Sequence, residues 1–488
     1  MDEGMESSGD PIAAEDVLLF VNAAITATGQ REFRSDAAAQ RLSLDFLHAY
    51  TLGNYRDLYA GVLALDINDH NAALMIRRLL ETAGEATADQ RRSEGRLIAG
   101  RLALLPPQRV YGLFGALRRS GVNNRRTRAL LRDWLAARPD PALDAVKYRN
   151  GLKRALRHAH LALDGELGAF LFAPHSRARY DTPLLEAWRR AHYEQAALYE
   201  LPYTVAEGFA ARHGIPRGVF LERIAPRLTR LETLRLQEAA RQHGPAAARA
   251  VAADLSRMPL TRLAGYVLSL PAPDRVARRE ELTGALRTAA RRTAGRHRGT
   301  WGRVAAVLDD SFSSSGSGVK RRRPLAVALA CHYLLEALAG HYTGLWTSGR
   351  GDALLAHPVG PTPLGERILD ALETAPERLV IVSDGWDNSP PGLAGEVLRV
   401  WRTRLDPARR TGVVHLNPVY DAEDFDVRWL SARVPTAGIR DAEDLPALVE
   451  IAQFAEGRTG LADLTAYLDA RAARLTAAAD RRAERSPR

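Results

Sequence analysis

The 488-residue sequence predicts an α + α/β multidomain protein. A long helical-repeat array is expected over residues 16–300, and a doubly wound, mostly parallel sheet over residues 301–460. Three observations carry this expectation. Apolar residues before residue 300 recur at helical spacing between closely spaced breakers. After residue 300, short continuous apolar runs alternate with helical patterns, as buried parallel strands do. The charge balance also reverses at the same point.

The helical part begins with Val17-Leu18-Phe20-Val21-Ala24 and Leu42-Leu44-Phe46-Leu47-Tyr50, both spaced for one apolar helix face. The pattern continues through Tyr55–Ala64, Ala72–Leu80, Arg96–Leu105 and Arg109–Arg118. Gly53-Asn54, Pro106-Pro107, Gly121, Pro139–Pro141, Pro202, Gly214–Pro216 and Pro271–Pro273 punctuate it. Units of about 20 residues of helix and turn suit an irregular, HEAT-like array rather than a single bundle. Residues 1–15 read as a disordered tail, and 461–488 as an Ala/Arg helix with a fraying end.

The sheet part starts at Arg303–Leu308, an apolar run that stops at Asp309-Asp310-Ser311. Helix follows at Pro324–Leu338. A second run, Leu379–Val382, stops at Ser383-Asp384-Gly385. Helix follows at Gly392–Arg404, and a third strand at Gly412–Leu416. Open sheets of this kind bind ligands beyond the carboxyl ends of their strands, and both acidic clusters fall there.

Composition narrows the classes. A single cysteine, Cys331, excludes a disulfide framework and a cysteine-based zinc finger, and its apolar surroundings make it a core residue. The acidic, polar N-terminus is no secretory signal, and no apolar stretch of about 18 residues exists, so a cytoplasmic protein without a membrane partner is expected. The formal charge is +10, but 65 of the 68 basic residues are arginines in an Ala/Leu-rich chain, the texture of codon bias. Position is more informative. Residues 1–100 hold 9 basic and 16 acidic residues; residues 101–160 hold 14 and 3. After residue 300 there are 23 and 25. A local net charge of +11 in 101–160 is the footprint of a phosphate-binding surface.

Within that segment, Arg118, Arg119, Arg125, Arg126 and Arg128 surround Ser120–Asn124. Gly121 can end one helix and Asn124 can cap the next. That leaves arginines beside exposed amides at a helix N-terminus, an arrangement suited to phosphate. The same Gly-x-Asn-Asn is also simply a good helix–helix turn.

At the sheet edge, Asp309-x-Ser311-x-Ser313, Thr362 and Asp384 supply two carboxylates and three hydroxyls from three loops. Such hard oxygen donors favour Mg²⁺ or Mn²⁺ over zinc or copper. Ser313 is the third hydroxyl by spacing, and Ser314 or Ser315 could replace it. Asp310 and Asp387 are further carboxylates nearby. The order DxSxS…T…D resembles the metal-ion-dependent adhesion site (MIDAS) of von Willebrand factor A (vWA) domains. The resemblance implies that hydroxyls and aspartates hold the ion and that a partner's carboxylate or other anion fills an open position. The alternative role for both aspartates is to cap turns. The run Ser311–Gly318 leading into Lys320–Arg323 reads as a solvated linker or as a mobile anion-contacting loop.

Three further stretches carry a wider resemblance. Lys147-Tyr148-Arg149-Asn150-Gly151 precedes Leu156-Arg157-His158-Ala159-His160. Met258-Pro259-Leu260-Thr261 precedes Leu263. Arg287–Arg303 then runs directly into the metal loop. In this order they resemble a divergent, bacterial-type member of the Ro autoantigen family, in which a helical TROVE module closes into a ring against a vWA domain. The resemblance implies binding of structured, Y-like non-coding RNA through Lys147, Arg149 and His160, and of single-stranded RNA ends. The chain is therefore expected to be a ribonucleoprotein scaffold with a metal-dependent docking domain. The other reading is a metal-dependent protein–protein adaptor without RNA. An enzyme is not expected: no P-loop, dinucleotide fingerprint or catalytic triad arrangement is present, and His213, His297, His332 and His341 lack metal-ligand spacing.

Overall fold

Strands form where the apolar runs stand. In the computed structural model, Arg303–Leu308 (β1), His341–Trp346 (β2), Arg378–Val382 (β3), Gly412–Asn417 (β4) and Thr436–Gly438 (β5) pair in the order β2-β1-β3-β4-β5, parallel throughout. The structure describes residues 9–28, 37–163, 165–174, 178–229, 232–233, 236, 243, 254–317, 321–419, 428–455 and 461–485. Residues 1–8 of the expected tail lie outside them, and helix begins at Gly9.

The side chains explain the layering. Ala305 and Val307 of β1, with Leu379 and Ile381 of β3, bury one face of the sheet against Leu364, Ile368, Ala394 and Leu398. These belong to the helices Leu364–Glu373 and Leu393–Val400. Alternation along the strand turns Val304, Ala306 and Leu308 the other way. The helix Arg323–Leu338 packs on β1 and β2. Each fully buried Val, Leu or Ile contributes about 1.5–3 kcal/mol relative to exposure. β1 leads to β2 on one side, and the chain then crosses to β3 on the other. The order reverses between β1 and β3, and there the carboxyl ends diverge into a crevice.

The chain divides into two compact units. One comprises residues 1–72 and 255–472, the other residues 73–254 and 473–488. The expected boundary at 300 lies inside the first unit. The helices Leu260–Ser269 and Arg279–Ala294 both pack on Arg323–Leu338, with Met258 buried as a packing residue. In the same unit, Asn22 donates to Gly438 O (3.0 Å) and accepts from Gly438 N (3.2 Å). It thereby pairs β5, which would otherwise offer an open sheet edge. Asn71 donates to the carbonyls of Ala23, Ala24 and Ala27 at 3.1, 3.0 and 2.8 Å. Those contacts satisfy carbonyls at the end of the helix Gly9–Thr26, which its own turns leave without partners.

The second unit is helical in its described residues. Its helix starts are local sequence chemistry. Thr87 and Gln90 form a capping box ahead of Ala88–Leu102. Asp140 accepts from Leu143 N at 2.8 Å ahead of Pro141. Among the described residues no helix is long and apolar enough to cross a membrane.

Candidate functional site

The crevice between β1 and β3 gathers the five oxygen-donor residues. Asp309 leaves β1 and Asp384 leaves β3; both are buried, as are Ser311 and Thr362. Short turns built from their own side chains fix them. Asp309 Oδ1 accepts from Ser311 N at 2.9 Å, and Asp384 Oδ1 accepts from Trp386 N at 3.1 Å. Both aspartates thus cap turns as well. The Ser311 and Ser313 hydroxyls lie 3.1 Å apart. The Thr362 loop is sewn on by Phe312 N to Gly360 O (3.1 Å) and Val359 N to Asp310 O (2.9 Å).

The donor chemistry fits a divalent cation. Ser313, Thr362 and Asp384 line one opening of about 480 Å³. Among the described residues nothing hydrogen-bonds the Thr362 hydroxyl. The Ser314 hydroxyl, by contrast, is spent on Ser311 O at 2.7 Å, which leaves Ser313 as the better-placed third donor. Burial, and secondarily the charge of Asp384, push the Asp309 carboxyl up to about 6. A cation would relieve that cost. No group of three or more His, Cys, Asp or Glu side chains among the described residues could hold a metal; the set here is hydroxyl-rich instead.

Neighbours that the sequence did not single out brace the crevice. Ser383 donates to Asp309 Oδ2 at 3.0 Å. From β4, His415 Nε2 donates to Ser383 O (3.0 Å) and Asn417 to Asp384 O (3.1 Å). Asn388 holds Thr362 N at 2.8 Å. Asp310 is occupied by Thr347, Ser348 and Arg350, and Asp387 accepts from Ala394 N at 2.6 Å. Asp310 is thus fully engaged, whereas the Asp387 Oδ1 is buried without a hydrogen-bond partner among the described residues. Phe312 and Trp386 stand exposed at the rim. Residues 318–320, the end of the serine-rich loop and Lys320, lie outside the described residues.

The basic segment sits in the other unit. The helix Pro107–Arg119 ends at Gly121, whose φ of 74° requires the left-handed region. Asn124 then caps Arg125–Ala136 by accepting from Thr127 N at 2.9 Å, as the spacing predicts. Arg118, Arg119, Asn124 and Arg125 are exposed, and Arg128 is half-buried. The helix Arg149–Ala159 ends at His160, which is exposed with φ 53° rather than buried in a core. His158 is the buried histidine, and its Nε2 donates to Val122 O at 3.2 Å. Burial lowers its pKa, and Arg118 and His160 lower it further. The interhelical turn 120–124 and the 158–160 helix end therefore meet at one imidazole.

The remaining basic positions are held internally. Arg126 pairs with Glu94 at 3.2 Å. The Arg149 guanidinium lies 5.0 Å from the Phe170 ring and 4.8 Å from the Trp188 ring, and donates to Phe170 O. Lys147 faces Glu232 at 3.8 Å, while Asp144 belongs to Arg138 and Tyr111. The structure adds Lys153 and Arg157, which flank the partly exposed Phe172 ring at 5.8 and 5.7 Å. Their four-residue spacing on one helix was the available signal.

A mostly helical chain with a small parallel sheet and a polar crevice at its switch point defines a helical plus α/β class. In that class the chain is similar in fold to the crystal structure of the Deinococcus radiodurans Ro (RSR) protein. The similarity covers 91% of this chain and 100% of that one, with a TM-score of 0.50 and 17% identity. No family model matches the chain, and no curated protein matches it.

Proposed function

We propose that the protein is an RNA-binding scaffold of the Ro type. In this reading the helical array is TROVE-like and the sheet is a vWA domain with a MIDAS. The single observation that carries the reading is the junction at His158. Its Nε2 donates to Val122 O at 3.2 Å, so that the stretches holding Arg118 and His160, singled out separately in the sequence, are tied together. Arg118, Arg119, Arg125 and Arg128 present cations beside the Asn124-capped N-terminus of Arg125–Ala136, next to His160. Phosphate is favoured there by guanidinium geometry and by unpaired amides. Lys153, Arg157 and Phe172 extend the surface toward bases, which stack on aromatic rings. Arg126, Lys147 and Arg149 shape the wall and reach RNA only by giving up the partners they have. The ligands are structured, Y-like non-coding RNA and single-stranded RNA ends, in the cytoplasm.

Asp309, Ser311, Ser313, Thr362 and Asp384 are the residues that would hold Mg²⁺ or Mn²⁺. The bound ion supplies a Lewis-acidic position for a partner's anionic oxygen. Exposed Phe312 and Trp386 beside these donors favour a protein occupant. This is the basis of the second reading, a metal-dependent adaptor without RNA. Both readings describe binding rather than catalysis. Crosslinking and sequencing of RNA that co-purifies from the native host separates them. Enriched structured RNA supports the scaffold, and protein free of nucleic acid supports the adaptor.

A further inference from the structure

A second concentration of arginine lies in the sheet-bearing unit, directly after the serine-rich loop: Gly316, which lines the crevice opening, bridges to Arg321. Arg262, Arg321, Arg322, Arg323 and Arg440 line an open groove of about 1010 Å³. Asp441, Glu443 and Asp444 line it too, but each carboxylate is occupied. Asp441 takes Arg323 at 2.8 Å and Arg440 at 3.0 Å. Glu443 takes the Thr261 hydroxyl at 2.6 Å. Asp444 takes Asp441 N at 3.1 Å. Arg322 spends one nitrogen on Leu268 O at 2.6 Å. The side chains of Arg262 and Arg321 are exposed and make no hydrogen bond or ion pair among the described residues. The helix Arg323–Leu338 directs its N-terminal end at the same groove.

Five guanidiniums thus outnumber three engaged carboxylates, with the Arg262 and Arg321 forks uncommitted, in a space large enough for a nucleotide-sized ligand. A single phosphate can engage about two guanidinium forks, so this wall suits several phosphates in series. Among the described residues no aromatic side chain lines the groove, and none there offers a base a ring to stack on. We propose that this groove binds an oligophosphate, a ligand with three or more consecutive phosphate groups, through the phosphates alone. A nucleoside triphosphate and free tripolyphosphate share that chemistry. The site is independent of the RNA surface proposed above.

Calorimetry on the full chain at low salt, without divalent cations, tests it with sodium tripolyphosphate, ATP, orthophosphate and adenosine. Tripolyphosphate and ATP should bind within about threefold of each other, orthophosphate at least about tenfold more weakly, and adenosine without measurable heat. Arg262→Glu with Arg321→Glu should weaken tripolyphosphate by about tenfold or more, and Arg262→Gln with Arg321→Gln by less. Arg118→Glu with Arg119→Glu and Arg125→Glu should leave tripolyphosphate binding unchanged, so failure here and failure of the RNA reading are distinguishable. The proposal is overturned if orthophosphate binds as well as tripolyphosphate, or if ATP binds and tripolyphosphate does not. Unchanged tripolyphosphate affinity in a charge-reversed variant with native circular dichroism overturns it equally.

Discussion

His158 Nε2 donates to Val122 O across 3.2 Å, tying the end of one helix to the turn that opens another. Val122 sits between Arg119 and Arg125, so the bond sets where those exposed arginines stand relative to His160. His158→Ala should loosen this arrangement. RNA affinity should fall severalfold in anisotropy titrations, and the urea midpoint should drop because Val122 O loses a buried partner worth about 1 kcal/mol. An unaltered RNA affinity would separate His158 from the surface.

Arg149 is predicted to act through packing. Its guanidinium lies against Phe170 and Trp188, and burial lowers its pKa. Arg149→Ala should cost about 1–2 kcal/mol in urea denaturation, from lost ring contacts and stem packing. RNA affinity measured well below the midpoint should change less than with Arg118→Glu. The opposite ranking would make Arg149 a direct contact.

Two glycines are fixed by close approach. A Cβ at Gly168 would run into the Leu163 carbonyl oxygen, and one at Gly365 would stand 2.7 Å from Leu393 Cβ. Gly168→Ala and Gly365→Ala should each destabilise by about 1–3 kcal/mol. Gly112→Ala, with nothing within 4 Å, should be neutral or slightly stabilising in the same thermal melts.

Burial holds His332 and His415 down to about 4 from the ordinary 6.5. Between those values the unfolded chain binds protons that the folded chain refuses, so this part of the stability is lost as pH falls from 6.5 to 4. Burial moves Asp444 the other way, up to about 7, so its contribution is lost as pH rises from 3.8 to 7. Denaturant midpoints at pH 7 and pH 4.5 should lie closer together in His332→Asn with His415→Asn than in the parent chain. An equal gap would place the acid sensitivity elsewhere.

Asp309→Ala should abolish the calorimetric signal for Mn²⁺ or Mg²⁺, and Thr362→Ala should weaken it. Both should leave RNA affinity largely unchanged, because the arginine surface belongs to the other unit. Loss of RNA binding in a folded Asp309→Ala chain would contradict that separation.

Much of the sheet was legible because buried strands are written as continuous apolar runs. β1 was read at its full length, and β3 and β4 each to within one residue. β2, His-Tyr-Thr-Gly-Leu-Trp, escaped because it is an edge strand with mixed side chains. Its Gly344 is required by His332 Nδ1, which a Cβ would approach to 2.9 Å. β5 has only three residues, too few for a pattern. The five oxygen-donor residues were legible from spacing and meet at one crevice. Their supports Ser383, Asn388, His415 and Asn417 were not, because those roles rest on hydrogen bonds between distant segments. The same holds for Arg126: its partner Glu94 lies 32 residues away, and only folding shows that this arginine is engaged.

RNA binding at the Arg118–Arg125 surface is the central claim, and salt-dependent fluorescence anisotropy with a structured RNA tests it most directly. The parent chain should bind with a Kd below about 1 µM at low salt, with log affinity falling linearly against log salt. Arg118→Glu with Arg119→Glu and Arg125→Glu should weaken binding by about tenfold or more and flatten that slope by about two to three contacts. Equal affinity and equal slope in a folded variant would contradict the assignment.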